Sequence, residues 1–385
     1  MKIKIYPEIN QIPADAWNAL VKDNNPFLRH EFLSALETHH CVGEDFGWVP
    51  CHIGIYDTEN TLIGAMPLYQ KSNSYGEFVF DHAWADAYQR NHLAYFPKLV
   101  SAIPYTPASG SRMLSAAGLT TTENKKIYSL LLQTIKQLAK EHGFSSFHCL
   151  FPLENEQQWL QQQGLLTRHD CQFHWHNRDY QNFDDFLSQL NKKKRKNIRQ
   201  ERRRVEQQGV ILRRLDGHTA SASDWKNFAS FYQRTFLEKG GYATMNQAFF
   251  AEVAKKLPDQ TILIMADIIN QKGASECIAG SLMYASDTTL YGRHWGCSEE
   301  IDKLHFEACY YQGIEYCIEN KLQTFEPGAQ GEHKIARGFI PTLTKSSHWL
   351  NNSPFQDSIE KFVEHEQSGV SHYMNALHSP YKEST

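Results

Sequence analysis

The chain has 385 residues, 41% hydrophobic and 21% charged, enough to bury a large core and to form two or three domains of roughly 150 residues. No window nears eighteen consecutive apolar residues, which excludes a membrane-crossing helix, and MKIKIYPEINQ lacks the apolar stretch of a signal peptide. The formal net charge of −4 hides an asymmetry: residues 192–204 (KKKRKNIRQERRR) hold nine Lys/Arg and one Glu, so the rest of the chain is acidic.

In chain order, 2–6 reads as a strand, 14–20 and 30–38 as helices, and 48–56 with 62–69 as a hairpin closed by the polar turn 57–60. An aromatic stretch, 78–96, leads to a Pro/Gly/Ser-rich loop at 103–112. A helix at 122–142 is stopped by Gly143, and a strand at 146–151, a short helix at 154–162 and a strand at 165–176 follow. Phe183, Phe186, Leu187, Leu190, Ile198 and Val205 recur at helical spacing. One helix is therefore expected over 183–208, with Asp184 and Asp185 in its first turn, the basic run on its polar faces and Gly209 at its end. The first order of elements then returns: a strand at 210–215, helices at 222–238 and 247–257, a strand at 261–269, a hairpin 277–285/289–295, a helix at 303–320 and a strand at 323–326 that enters the loop PGAQGEHK. The period is near 200 residues, which indicates a duplicated domain. After Asn351 the polar sequence predicts a peripheral tail or helix.

Four groups of residues carry chemistry. The basic run is either a solvated connector or an anion site, and in the second case Lys193, Lys194, Arg195 and Arg199 are the phosphate or nucleic-acid contacts. In FEPGAQGEHKIAR (325–337), Glu326, Glu332, His333 and Lys334 bring acid, base and cation together at a strand end where glycine lets the backbone approach a ligand. Either this is a polar surface loop, or Glu332 or His333 takes a proton from an amine while Lys334 stabilises an oxyanion. It has no GxxxxGK[ST] pattern, so a nucleotide P-loop is not expected. In YGRHWGCSEEIDKLHFE (291–307), alternation places Tyr291, Arg293 and Trp295 on one strand face and Gly292 and His294 on the other, with His305 and Glu307 on the next helix. His294, His305 and His333 lack metal-ligand spacing, and no metal is expected. Finally, Asp81, Trp84, Tyr88 and Arg112 either line a substrate groove or belong to a packed aromatic cluster. The eight cysteines (41, 51, 149, 171, 277, 297, 309, 317) contain no CxxC and read as reduced thiols of a cytoplasmic protein.

The strings NPFLRHEFL (25–33), GEFVFDHAWADAY (76–88), YFPKLVSAIPYTPASGSRML (95–114), YGRHWG (291–296), LHFEACYYQGIEYCIE (304–319) and FEPGAQGEHKIARGF (325–339) resemble the FemAB-like predicted N-acyltransferases, a group described as peptidoglycan biosynthesis or recognition proteins. The resemblance runs over about residues 20–375. It implies an α/β fold of two tandem GNAT-like (acyl-CoA N-acyltransferase) domains with mixed central sheets, linked by the long basic helix. The expected divisions are 1–180, the helix 181–209, 210–350 and a tail 351–385. The basic helix is also similar to the Lys/Arg-rich helical segment of Fem aminoacyltransferases, which take amino acids from aminoacyl-tRNA to peptidoglycan precursors.

The implied activity is transfer of an acyl or aminoacyl group from an activated donor, acyl-CoA or aminoacyl-tRNA, to an amine acceptor, with no permanently bound cofactor. Where GNAT enzymes carry a Q/RxxGxG/A loop before a helix, this chain has GCSEEIDKLH, which lacks a glycine-rich pyrophosphate cradle and points away from acetyl-CoA. Glu326, Glu332, His333 and Lys334 are then the expected catalytic groups. Tyr291, Arg293, His294, His305 and Glu307, with Asp81, Trp84, Tyr88 and Arg112, are the expected substrate contacts. The competing expectations are a non-catalytic module that binds cell-wall fragments or RNA, and an ordinary acetyl-CoA-dependent N-acetyltransferase.

Overall fold

The computed structural model describes residues 1–269, 272–329 and 331–382. Gln330 of the glycine-rich loop and residues 383–385 of the expected tail lie outside them. The chain divides into two compact units, 1–171 with 343–376, and 172–342 with the residues from Leu377 on. No helix among the described residues is long and apolar enough to cross a membrane.

In the first unit the expected hairpin is bent. Pairing is interrupted between the Pro50–Tyr69 and Ile53–Met66 pairs, where Pro67 has no N–H to give a ladder, and the hairpin feeds two sheets. His52–Tyr56 and Leu62–Met66 join Lys2–Tyr6 and Leu114–Ser115 in a four-stranded antiparallel sheet. Trp48–Pro50 and Tyr69–Lys71 join a second, in which Tyr69–Lys71 is antiparallel to Lys98–Ser101 and that strand is parallel to Ser146–Leu150. Residues 346–350 join it, antiparallel to Ser146–Leu150. The helix Thr121–His142 opens with a capping box: Thr120 Oγ1 accepts from the Glu123 N–H at 3.3 Å, and Glu123 accepts from the Thr120 N–H at 2.8 Å. Its buried face, Ile127, Leu131, Ile135 and Ala139, packs with Leu99, Phe147 and Cys149 from the second sheet. The aromatic stretch contains a helix, His82–Arg90, and the segment after Asn351 contains the helix Gln356–Ala376.

In the second unit Ile211–Asp216, Thr261–Ile269, Ser275–Ala285 and Thr289–Cys297 form an antiparallel meander. Thr324–Glu326 then runs parallel to residues 289–291 and antiparallel to Trp175 and His176. Helix Ala222–Glu238 lies so close to this sheet that a Cβ at Gly296 would overlap the Phe231 backbone. The single helix expected over 183–208 is two, Phe183–Gln189 and Lys192–Gln207. Leu190 between them is extended, and Asn191 caps the second by accepting the Lys194 N–H at 3.0 Å. In sequence the basic helix stands between the two halves, but by its contacts it belongs to the second unit, burying Ile198 and Val205.

Both units share one strand pattern: an antiparallel neighbour, a parallel pair, and a further antiparallel strand. In the first unit that further strand is 346–350, and in the second it is 175–176. Each unit thus takes in a strand that chain order would assign to the other, and the unit boundaries fall at 171/172 and 342/343, where 180 and 350 were expected. The strand Ile340–Leu350 has no counterpart in the sequence expectation, since its Thr, Lys, Ser and His residues hide its period.

Candidate functional site

In the second unit the strands Thr289–Cys297 and Thr324–Glu326 are paired only as far as Tyr291 and Glu326. Two local features end the ladder. Pro327 brings no N–H, and Gly328 (φ +100°) and Gly331 (φ +118°) turn the chain through conformations that suit glycine. On the facing strand Leu282 pairs with His294 but Met283 pairs with Gly292, so Arg293 is an extra residue in a β-bulge. The bulge breaks the strict alternation expected for Tyr291, Arg293 and Trp295 against Gly292 and His294. His294 packs its ring on Tyr232 and Phe250, with centroids at 5.0 and 5.9 Å, and burial puts its pKa well below the ordinary value. Arg293 lies near Tyr232, Tyr284 and Glu326, and burial pulls its pKa down to about 10 against their opposing influence. Tyr291 and Glu326 are buried.

The loop that follows is held by two cations. Lys334, only 2% exposed, donates from Nζ to the Gly328 carbonyl at 2.7 Å, and burial lowers its pKa to about 8. Arg337 stacks on Phe306 at 3.3 Å, donates to the His333 carbonyl at 2.7 Å and pairs with Glu201 Oε1 at 2.8 Å. Tyr311 donates its hydroxyl hydrogen bond to the same Glu201 carboxylate. Tyr311 closes a π-helical turn, Glu307–Tyr311, in the middle of the helix expected at 303–320. Such turns are concentrated at functional sites.

The π turn also brings an aromatic rim around two imidazoles. His333 Nε2 is 2.9 Å from the Tyr310 hydroxyl, and the His333 ring lies 5.7 Å from Phe306. The His305 ring is 5.3 Å from Tyr310, 5.4 Å from Trp295 and 6.4 Å from His333. Burial, then His333 and the cations Arg337 and Lys334, bring His305 down to about 4. His333 is exposed, yet burial of part of its ring and the same two cations lower its pKa too. Both imidazoles are therefore neutral at pH 7. Glu332 is exposed beside them.

Other expected contacts have different surroundings. Glu307 is buried and takes a bidentate pair from Arg202, at 2.9 and 3.0 Å, and Arg202 also pairs with Glu315 at 2.7 Å. Desolvation raises the Glu307 pKa even so. On the basic helix Arg199 meets Asp184 at 2.8 Å, an exposed pair, and Arg195 reaches the Ser188 carbonyl at 3.4 Å. Lys193 is exposed and Lys194 half-buried.

In the first unit Asp81, Trp84, Tyr88 and Arg112 do not line an open groove; all four are buried. Asp81 is paired with Lys98 and accepts from Tyr95 and Ser74 at 2.5 Å each. Desolvation would raise its pKa, but Lys98 holds it well below the ordinary carboxylate value. Trp84 and Tyr88 pack in a cluster with Tyr95, Leu350, Ile359 and Val363. Arg112 donates to the carbonyls of Leu150, Ser111 and Ala108 at 2.9, 3.2 and 2.8 Å, which clamps the Pro/Gly/Ser-rich loop.

The residues that sequence reasoning missed are the partners: Tyr310, Tyr311, Arg337, Arg202 and Glu201. Glu201 had a visible signal, as the single acid in a run of nine cations.

The profile of a family described as FemAB-like, peptidoglycan biosynthesis/recognition, matches residues 8–383. Among solved structures, FemX is 13% identical and superposes with a TM-score of 0.53 over 94% of this chain and all of its own. The C-terminal domain of a putative lysylphosphatidylglycerol synthetase from Agrobacterium fabrum is 7% identical, TM-score 0.53, over 91% of this chain and 95% of its own. A conserved protein of unknown function from Bacteroides thetaiotaomicron is 10% identical, TM-score 0.53, over 90% of this chain and 99% of its own. No curated protein sequence matches the chain. At these identities the likeness shows a shared fold, in keeping with the expected α/β architecture of two GNAT-like units with mixed sheets.

Proposed function

The chain belongs to the FemAB-like family of peptidoglycan biosynthesis or recognition proteins, and from that premise we propose that it is an N-acyltransferase, moving an acyl or aminoacyl group from an activated donor to an amine on a peptidoglycan-related precursor. An amine attacks only as the free base, so the reaction needs a group to take its proton and a group to hold the tetrahedral oxyanion. The observation that carries the proposal is His333: exposed, neutral at pH 7 and fixed by Tyr310 where the chain leaves the parting strands. It is the better base; Glu332, exposed beside it, shapes the approach of the cationic amine. Lys334 positions the loop through the Gly328 carbonyl and, with a pKa near 8, stays largely cationic at pH 7, so its remaining N–H groups serve the oxyanion. Arg293, beside Glu326 at the bulge, and Tyr291 hold the donor. Lys193, Lys194 and Arg195 meet its phosphates, whether those of CoA or of tRNA.

The test is direct. The full chain is incubated with aminoacyl-tRNAs or acyl-CoAs and amine-bearing cell-wall precursors, and products are read by mass. A mass increase equal to the acyl or aminoacyl group, dependent on the protein, supports transfer and names the donor. RNA or cell-wall fragments that bind with no mass change under any donor would establish the non-catalytic module instead.

A further inference from the structure

The basic run of the second unit carries one acid, Glu201, and the helix turns it inward. Ile198, Glu201, Arg202 and Val205 follow helical spacing, and Ile198 and Val205 are the buried positions of that stripe. Glu201 therefore stands where a packing helix would carry an apolar side chain, and its own is only 17% exposed. Lys193 and Lys196 are exposed. The helix thus presents cations to solvent and a carboxylate to the loop that carries His333.

The contacts of this carboxylate form a closed circuit. One oxygen accepts from Arg337 Nη2 at 2.8 Å, and Arg337 Nη1 donates to the His333 carbonyl at 2.7 Å. The other oxygen accepts from the Tyr311 hydroxyl. Tyr311 ends the π turn, and the hydroxyl of its neighbour Tyr310 is 2.9 Å from His333 Nε2. His333 is gripped at its backbone and at its ring, and both grips lead to the same carboxylate. These residues all lie in the second unit. A carboxylate that accepts a fixed donor on each oxygen is itself fixed, since movement loses a charge-assisted hydrogen bond. Arg337 is buried. Without its anion it would be a buried, uncompensated cation, and the rearrangement that relieves this acts directly on the His333 carbonyl.

We propose that Glu201 is a positioning residue: it touches no reacting group, and it fixes His333 from both ends, through Arg337 to the backbone and through Tyr311 and Tyr310 to the ring. The basic helix then has two roles, cations on its outer side and alignment of the base from its inner side. The part Glu201 plays in turnover rests on His333 being the base of the proposed transfer.

The experiment reads the state of His333 without requiring turnover. The full chain is treated with diethyl pyrocarbonate at pH 7, and acylation of His333 is followed by peptide mass spectrometry. In the parent the Tyr310 hydroxyl covers Nε2, a nitrogen the reagent attacks. Glu201→Gln keeps the side-chain length and removes the charge, and Tyr311→Phe removes one hydroxyl. Each is expected to raise the His333 rate about threefold to tenfold, the range of one lost hydrogen bond, with the circular dichroism spectrum intact. Glu201→Asp, which keeps the charge, falls between the parent and Glu201→Gln. Glu315→Gln breaks an ion pair of the same helix that does not lead to the loop, and leaves the rate at the parent value. Where the transfer assay yields product, Glu201→Gln lowers kcat about tenfold or more with donor KM unchanged. The proposal is overturned if Glu201→Gln and Tyr311→Phe both leave the His333 rate at the parent value, if Glu315→Gln raises it as much as they do, or if Glu201→Gln raises donor KM with kcat unchanged. If no donor yields product while the His333 rate still responds to Glu201, the transfer reading fails and the positioning of His333 stands.

Discussion

His333 and Lys334 are neighbours in sequence with opposite environments, and each environment sets a measurable property. His333 is exposed and depends on being neutral, so kcat/KM falls as pH drops through its folded pKa, which burial, Arg337 and Lys334 hold below 6.5. His333→Ala is expected to lower kcat by about 10²-fold or more with KM changed little and the circular dichroism spectrum intact. An acid limb centred above pH 6.5 in the parent would remove His333 as the base. Lys334 is buried, and its pKa falls from 10.5 to about 8. Between pH 8 and 10.5 the unfolded chain then holds a proton at this lysine that the folded chain has lost, so this group makes stability rise with pH in that window. Compared with Lys334→Met in urea unfolding at several pH values, the parent should gain up to ~1.4 kcal/mol per pH unit across the window and show a constant difference below it. Both residues were visible in the sequence as bearers of chemistry. Tyr310 and Arg337 were not, and Glu201 stood out only as the single acid of the basic run, because their roles come from pairings across 23 and 136 residues.

At the scale of elements, local sequence decided helices and turns well and sheet geometry poorly. His30–Thr38, Glu154–Gln162 and Ala222–Glu238 have the bounds expected from periodicity and caps, because those signals lie within the helix. The helix at 183–208 divides because Asn191 satisfies the backbone N–H of Lys194 better as a cap than as an interior residue. The bulge at Arg293 has no local signature: it is defined by its register against Leu282 and Met283 on another strand. Gly296 is similar, since only the approach of Phe231 gives it a reason. Gly296→Ala should destabilise the chain by about 1–3 kcal/mol in chemical unfolding, because the neighbour that must yield is backbone. A neutral effect would mean that helix Ala222–Glu238 can move off the strand.

At the scale of the whole molecule, the charge that looked weakly negative is a basic helix set in an acidic chain. Arg199, Arg202 and Arg204 are paired with Asp184, Glu307 and Glu315, and Asp302, whereas no ion pair involves Lys193 or Lys194 among the described residues. If these lysines meet phosphates, the double variant Lys193→Ala/Lys194→Ala should reduce the slope of log K against log salt for tRNA by about 1.5. An unchanged slope would place the RNA contacts elsewhere. By itself the sequence determined the α/β class, the duplication, most helices, the charge asymmetry and the loop that carries His333 and Lys334, since each is written in neighbouring residues or in the family strings. Tertiary structure alone decided that the aromatic residues Trp84 and Tyr88 are core, that Arg112 and Glu307 serve internal partners, and that each unit takes in a strand chain order would give to the other. The reason is physical: burial and pairing are made by residues distant in the chain, and a side chain's chemistry does not say which of several partners will satisfy it.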